Sequence, residues 1–305
     1  MKIILCTTFR DFNGTDNDKI QYMFLDSIKN QTYQNYIVVT TTFGEKKVKD
    51  VVTECLGSKS VVKNVAIPQE YRFSLTDVVL SGIEVAEQSK EHSIIVWYTC
   101  DIQLKSDFFQ VLIDNYRPDY SGIIHPNIVY NTLEDFKSKS GQVALLDGGI
   151  DLLFFDSSVL IKAKQDIVDF RFYDWGVFEY FLVALAMKYS PYRINLFNIT
   201  KLRKILNDRK LTKETEAYFK KCSDMNLPIL QKFFNENNIC DFVWEGSGYK
   251  SHFKFKMLKD GLFSKYVKIH YILFHTDKGK NFRRKYHLTR LFDVLFKTKY
   301  VPYNQ

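Results

Sequence analysis

The sequence predicts an α/β protein: a mostly parallel sheet flanked by helices. Three observations carry that prediction. KIILC (2–6), YIVVTT (36–41), SVVKNVAI (60–67) and SIIVWY (93–98) are short apolar runs rich in β-branched residues, as expected of strands buried on both faces. The stretches between them carry apolar residues at helical spacing and are long enough for crossover helices. Capping and stop signals, among them Ser74 and Pro68, punctuate the boundaries.

Taken in order, the strand at 2–6 is followed by Asp16 and Asp18 as helix caps, with Ile20, Phe24 and Ile28 on one helical face. After the strand at 36–41 a helix is predicted from about Glu45 to Leu56. The strand at 60–67 ends at Pro68. Ser74 and Asp77 form a capping-box pattern opening a helix that carries Val79, Ile83 and Ala86. SIIVWY is the fourth strand, and Ser106 caps a helix running to about Tyr116. SGIIHPNIVY (121–130) and QVALLDGGIDLLFF (142–155) read as strands, the second broken at Gly148-Gly149. Asp174 is placed to cap a helix beginning at Trp175, and residues 200–243 read as helical and polar, interrupted at Pro228. Two regions follow: a sheet-containing domain over 1–198 and a mainly helical extension over 199–305, basic from about residue 249.

Composition narrows the function classes. No apolar run approaches the 18 or so residues that span a bilayer; FLVALAM (181–187) is too short. The N-terminal IILC reads as a strand, not a signal peptide, so a cytoplasmic protein is expected. Five scattered cysteines without a C-x-x-C pair suit neither a disulfide framework nor a zinc site. Charge is uneven. Residues 249–305 hold 14 Lys/Arg against 3 Asp/Glu, a balance of +11, so the other 248 residues carry −3 of the net +8. Basic residues interleaved with aromatics suit an anionic membrane surface, a nucleic acid, or a solvated face packed on the body.

In open α/β sheets, ligands bind beyond the carboxyl ends of the strands. Asp101, just after SIIVWY, lies on that rim, as do the loops from Thr7 to Asp16 and from Thr40 to Gly44. A strand-end turn would account for Asp101, and an ordinary N-cap for Asp174.

Residues 27–39, Ser27-Ile28-Lys29-Asn30-Gln31-Thr32-Tyr33-Gln34-Asn35-Tyr36-Ile37-Val38-Val39, resemble the S-I-x-x-Q-T-Y-x-N-x-E-I-I-V-V passage of inverting nucleotide-sugar glycosyltransferases of the GT-A fold, family 2-like. The resemblance covers roughly residues 1–195 and implies a GT-A-like, Rossmann-like sheet. Thr99-Cys100-Asp101 stands where that family has Asp-x-Asp, with Asp107 six residues further on. Tyr173-Asp174 stands where it has Glu-Asp, and Thr41-Thr42-Phe43-Gly44 where it has Asp-Asp-Gly-Ser.

By resemblance, Asp101 is the ligand of a Mg²⁺ or Mn²⁺ ion, which neutralises the leaving diphosphate. Thr7, Thr8, Phe9, Thr41 and Thr99 face the nucleotide. Asp174 is the base for the acceptor hydroxyl, with Glu179 as understudy on the same helix. Asp147, Gly148 and Gly149 touch donor sugar or acceptor, or simply break a strand; Trp175 stacks on a sugar or packs in the core. The implied activity is inverting sugar transfer from a nucleoside-diphosphate donor to a glycan or polyprenyl-linked acceptor, in bacterial surface polysaccharide assembly. The basic segment would hold the protein at the inner face of the cell membrane, and no nucleic acid is expected as partner. Two alternatives stand. One is a nucleotidyltransferase, although residues 7–16 hold one Gly and one Arg instead of that class's glycine-rich basic loop. The other is a non-catalytic module binding glycan or nucleic acid.

Overall fold

The computed structural model describes residues 1–89, 91–114, 116, 118, 121–124, 128–130, 152–174, 176–189, 194–197, 203–205, 213–237, 241–245 and 252–256. In chain order these form β1 (Lys2–Thr7), α1 (Asp16–Lys29), β2 (Tyr36–Thr42), α2 (Val48–Leu56), β3 (Ser60–Asn64), α3 (Leu75–Gln88), β4 (Ser93–Tyr98), β5 (Ile102–Gln103) and α4 (Phe108–Asp114). There follow β6 (Ser121–Ile124), β7 (Ile128–Tyr130), β8 (Leu152–Asp156), α5 (Ser157–Lys162), α6 (Lys164–Asp169), α7 (Phe178–Tyr189), β9 (Ile194–Phe197), β10 (Arg203–Ile205), α8 (Lys213–Glu236), β11 (Asp241–Glu245) and β12 (His252–Lys256).

The main sheet has the order β3-β2-β1-β4-β8-β6-β9. β3, β2, β1 and β4 are parallel. β8 runs antiparallel to both β4 and β6, and β9 is parallel to β6. Only β8 therefore opposes the common direction, and the architecture is the predicted α/β one, a mostly parallel sheet flanked by helices. Strand alternation divides the core in two. Ile3 and Leu5 of β1 join Ile94, Val96 and Tyr98 of β4 beneath α1, α2 and α4. On the other face Ile4 and Cys6 join Ile95 and Trp97 beneath α3, α5, α6, α7 and α8. All six residues of SIIVWY are buried.

Several boundaries differ from the expected ones, each for a local reason. The N-cap of α1 is Thr15, not Asp16 or Asp18; the Asp18 carboxylate instead reaches back to accept the Thr15 N–H at 3.2 Å. α2 starts at Val48, because Glu45 folds back to accept the Phe43 N–H at 2.6 Å. α3 opens as predicted, with Ser74 Oγ accepting the Asp77 N–H at 3.2 Å. Pro228 does not interrupt α8. An internal Pro forfeits one helical hydrogen bond, but burial of Leu230, Phe233 and Phe234 against the sheet-side core outweighs that loss. Residues 200–243 are also not wholly helical, since β10 precedes α8 and β11 follows it. Residues 142–151 and, apart from β12, 249–305 lie outside the described residues. No helix among the described residues is long and apolar enough to cross a membrane.

Candidate active site at the carboxyl edge of the sheet

Beyond Tyr98 the chain turns through Thr99, Cys100 and Asp101 into β5. The turn is closed by the Tyr98 hydroxyl, which donates to the carbonyl of Ile102. Burial pushes the Tyr98 phenol up, with the Asp101 and Cys100 charges adding to the effect, so it stays a neutral donor. The residues just after the turn are fastened to α1. Ser27 Oγ donates to Phe24 O at 2.7 Å and accepts the Leu104 N–H at 3.2 Å. Gln31, 1% exposed, donates to Ser27 O at 2.9 Å and Lys105 O at 2.5 Å and accepts the Phe109 N–H at 3.0 Å. The Ser27 and Gln31 of the S-I-K-N-Q stretch thus act structurally, fixing the segment that carries Asp101. Asp101 itself is half-buried on the rim.

Asp174 is 5% exposed and is not a helix cap, because α7 begins only at Phe178. Its Oδ1 accepts the Arg72 N–H at 2.8 Å, and its own N–H donates to Phe73 O at 3.0 Å. The loop before α3 thereby takes the carboxylate that a helix N-terminus was expected to take. The backbone here is left-handed, with φ of 55° at Asp174, 102° at Gly176 and 49° at Val177. For a β-branched residue this is a rare conformation, costing about 1–3 kcal/mol and kept only where the surroundings enforce it. Tyr173 and Tyr71 stack, 4.2 Å between centroids and 7° between planes. The Arg72 guanidinium lies 4.3 Å over the Tyr218 ring. Burial pushes the Tyr218 phenol up, with Cys222 and the Asp174 carboxylate adding to it.

The strand before Asp101 and the helix after Asp174 meet on one face of the sheet. Asp101 follows Trp97 by four residues, Asp174 precedes Phe178 by four, and the Trp97 and Phe178 rings meet edge-on at 6.1 Å. Thr7 ends β1 beside β2, where it pairs with Thr40, and Thr8 follows it in the loop. Thr41 is fully buried, and neither its hydroxyl nor that of Thr40 has a hydrogen-bond partner among the described residues. Thr99 lies in the turn before Asp101. Phe9 departs from expectation: its ring is 3% exposed and packs on Phe12 and Phe24, so the side chain belongs to the core. Glu179 is half-buried in the first turn of α7. Asp147, Gly148, Gly149 and Trp175 lie outside the described residues.

Sequence reasoning missed Asn226 and Tyr218. Asn226 is fully buried and its Nδ2 donates to Tyr173 O at 2.8 Å. One signal was present: Cys222, Asn226 and Leu230 are spaced by four on the buried stripe of α8, and a polar residue on such a stripe demands a partner.

Asp101 supplies one carboxylate, and no group of three or more His, Cys, Asp or Glu among the described residues gathers as a metal cluster. With this single carboxylate, a hard divalent ion would have to take its remaining oxygens from phosphate and water.

No protein-family model and no curated protein sequence matches the chain. Among solved structures it is similar to S. aureus TarS, residues 1–349, in complex with UDP-GlcNAc, at 12% identity over 77% of this chain and 72% of that one, with a TM-score of 0.45. It is also similar to a cytidylyltransferase from Leptospira borgpetersenii (16% identity, 77% and 94% covered, TM-score 0.38) and to the inositol-1-phosphate CTP transferase of T. maritima (11%, 73% and 96%, 0.37). At such identities the likeness concerns the path of the backbone and says nothing of activity.

Proposed function

We propose that the protein is a glycosyltransferase that moves a sugar from a nucleoside-diphosphate donor to a glycan or lipid-linked acceptor with inversion. The observation that carries this reading is Asp174: a buried carboxylate held in a left-handed turn, with one oxygen fixed by the Arg72 N–H. Conformations of this kind gather at functional sites. In this reading the donor lies along the rim formed by the ends of β1, β2 and β4. Asp174 takes the proton from the acceptor hydroxyl, and the acceptor oxygen attacks the anomeric carbon opposite the departing diphosphate. Asp101 would hold Mg²⁺ or Mn²⁺, which supplies Lewis-acid stabilisation of the leaving diphosphate. Glu179 serves as the alternative base. The loop after β1 argues against a nucleotidyltransferase: two of its side chains, Phe9 and Phe12, are buried, and the Arg10 backbone is tied to Gln21 by hydrogen bonds of 2.8 and 3.1 Å. The basic segment from about residue 249 would rest on an anionic membrane at its cytoplasmic face, where polyprenyl-linked acceptors are presented.

The test is turnover of a panel of nucleoside-diphosphate sugars with and without Mn²⁺. Asp174→Ala and Asp101→Ala are each expected to lower turnover at least a hundredfold, a loss typical of removing a general base or an electrostatic group. Unchanged turnover in either variant refutes that residue's role. No turnover or binding of any donor by the wild-type protein refutes the enzyme reading.

A further inference from the structure

We propose that Asn226 and Tyr218, both on α8, are positioning residues for Asp174; the inference rests on the reading of Asp174 as the base. The left-handed backbone at Asp174, Gly176 and Val177 persists only if something imposes it. Three contacts join it to the loop before α3: the Arg72 N–H to the Asp174 carboxylate, the Asp174 N–H to Phe73 O, and the Tyr71–Tyr173 stack. These tie two irregular segments to each other. Helix α3 ties the stretch of chain just before the turn, with Thr76 Oγ1 accepting the Phe172 N–H at 2.8 Å and Asp77 paired with Arg171; the tie at the turn itself comes from α8. Asn226 holds the carbonyl of Tyr173, one peptide before Asp174, in a place without competing water. Tyr218 lies under the guanidinium of Arg72, the residue whose N–H holds Asp174. A β-carbon on Gly176 would meet Ser223 Oγ at 3.4 Å, so α8 also backs the turn directly. The helix is itself held by the rings of Phe170 and Phe181, 5.0 and 4.9 Å from Phe233. A helix that the sequence assigns to the C-terminal extension thereby becomes the support of the candidate base.

Asn226→Leu keeps the volume and removes the donor; Tyr218→Leu removes the ring beneath Arg72 at a partly exposed position. In each variant the backbone amides of Arg72 and Asp174 should exchange with deuterium at least tenfold faster than in wild type. Turnover of the best sugar nucleotide of the panel should fall at least tenfold, with KM for that donor within twofold. Loss of folded protein alone would give the same split, so turnover is normalised to the folded fraction measured by circular dichroism, and general unfolding would speed exchange throughout the chain instead of at these two amides. Unchanged amide exchange, or turnover within twofold of wild type in a folded variant, overturns the proposal. If Asn226→Leu does not fold, Tyr218→Leu decides by the same two measurements. Should wild type turn over no sugar nucleotide, the glycosyltransferase reading fails, while amide exchange still upholds or overturns the anchoring by α8.

Discussion

Gln31 binds two carbonyls and one N–H through a single buried amide, so it is the residue through which α1 sets the position of the Asp101 turn. A Leu in its place would leave those backbone groups unpaired in a site too closed for water. Each buried group stripped of its partner costs about 1–3 kcal/mol, and partial relaxation brings the expected loss for Gln31→Leu to about 2–4 kcal/mol. Chemical denaturation should show this as a lower midpoint at unchanged m-value. A loss below about 0.5 kcal/mol would mean that the three bonds are not mutually supporting. Legibility at this scale was uneven. Gln31 was readable as part of a motif, though its structural role was not, since its partners at 105 and 109 lie over 70 residues away. Asp174 was readable as a special residue but misplaced as a cap, because the Arg72 N–H that it accepts is about a hundred residues upstream.

At the scale of elements, α3 is pressed onto β1 more closely than its pattern of apolar residues suggests. A β-carbon on Gly82 would stand 2.0 Å from Cys6 Sγ, so the glycine permits the close approach of helix to strand. Gly82→Ala is therefore expected to destabilise by about 1–3 kcal/mol, the range for overpacking a filled core, despite alanine's better helix propensity. Cys6→Ala should relieve the clash, so the double variant should be more stable than the sum of the two single changes predicts. Burial pushes the Cys6 thiol up to about 12; at pH 8 it is neutral and unreactive in the folded state. Its alkylation rate thus reports opening of this interface, and should rise in Gly82→Ala relative to wild type. Additive effects on stability would show that the helix shifts freely. The strands were legible because their burial on both faces writes continuous apolar runs: SIIVWY is β4 residue for residue. Helix starts were less legible, because Glu45 and Asp174 spend their carboxylates on other backbone groups.

Across the whole molecule the charge is segregated, and that segregation yields a test which the site cannot supply. The first 248 residues carry a net −3, whereas residues 249–305 carry +11; the excess positive charge that would draw the full chain to an anionic surface lies in the C-terminal segment. Its densest cluster is Lys278, Lys280, Arg283, Arg284 and Lys285, beside Phe282 and Tyr286, a combination suited to headgroup contact with aromatic insertion. Each basic residue near an anionic bilayer contributes about 1 kcal/mol, within a Debye length of about 8 Å at physiological salt. Replacing these five residues by Gln should lower the vesicle-bound fraction more than tenfold in sedimentation with phosphatidylserine-containing liposomes. High salt should release the wild-type protein in the same assay. Turnover of a soluble sugar acceptor should be preserved, because the substitutions leave Asp101 and Asp174 untouched, while turnover of a liposome-embedded acceptor should fall with the bound fraction. Equal sedimentation of wild type and variant would remove the membrane from the reading and leave the basic segment as a solvated face or a surface for another polyanion. Loss of sedimentation without loss of lipid-acceptor turnover would instead separate membrane attachment from the reaction.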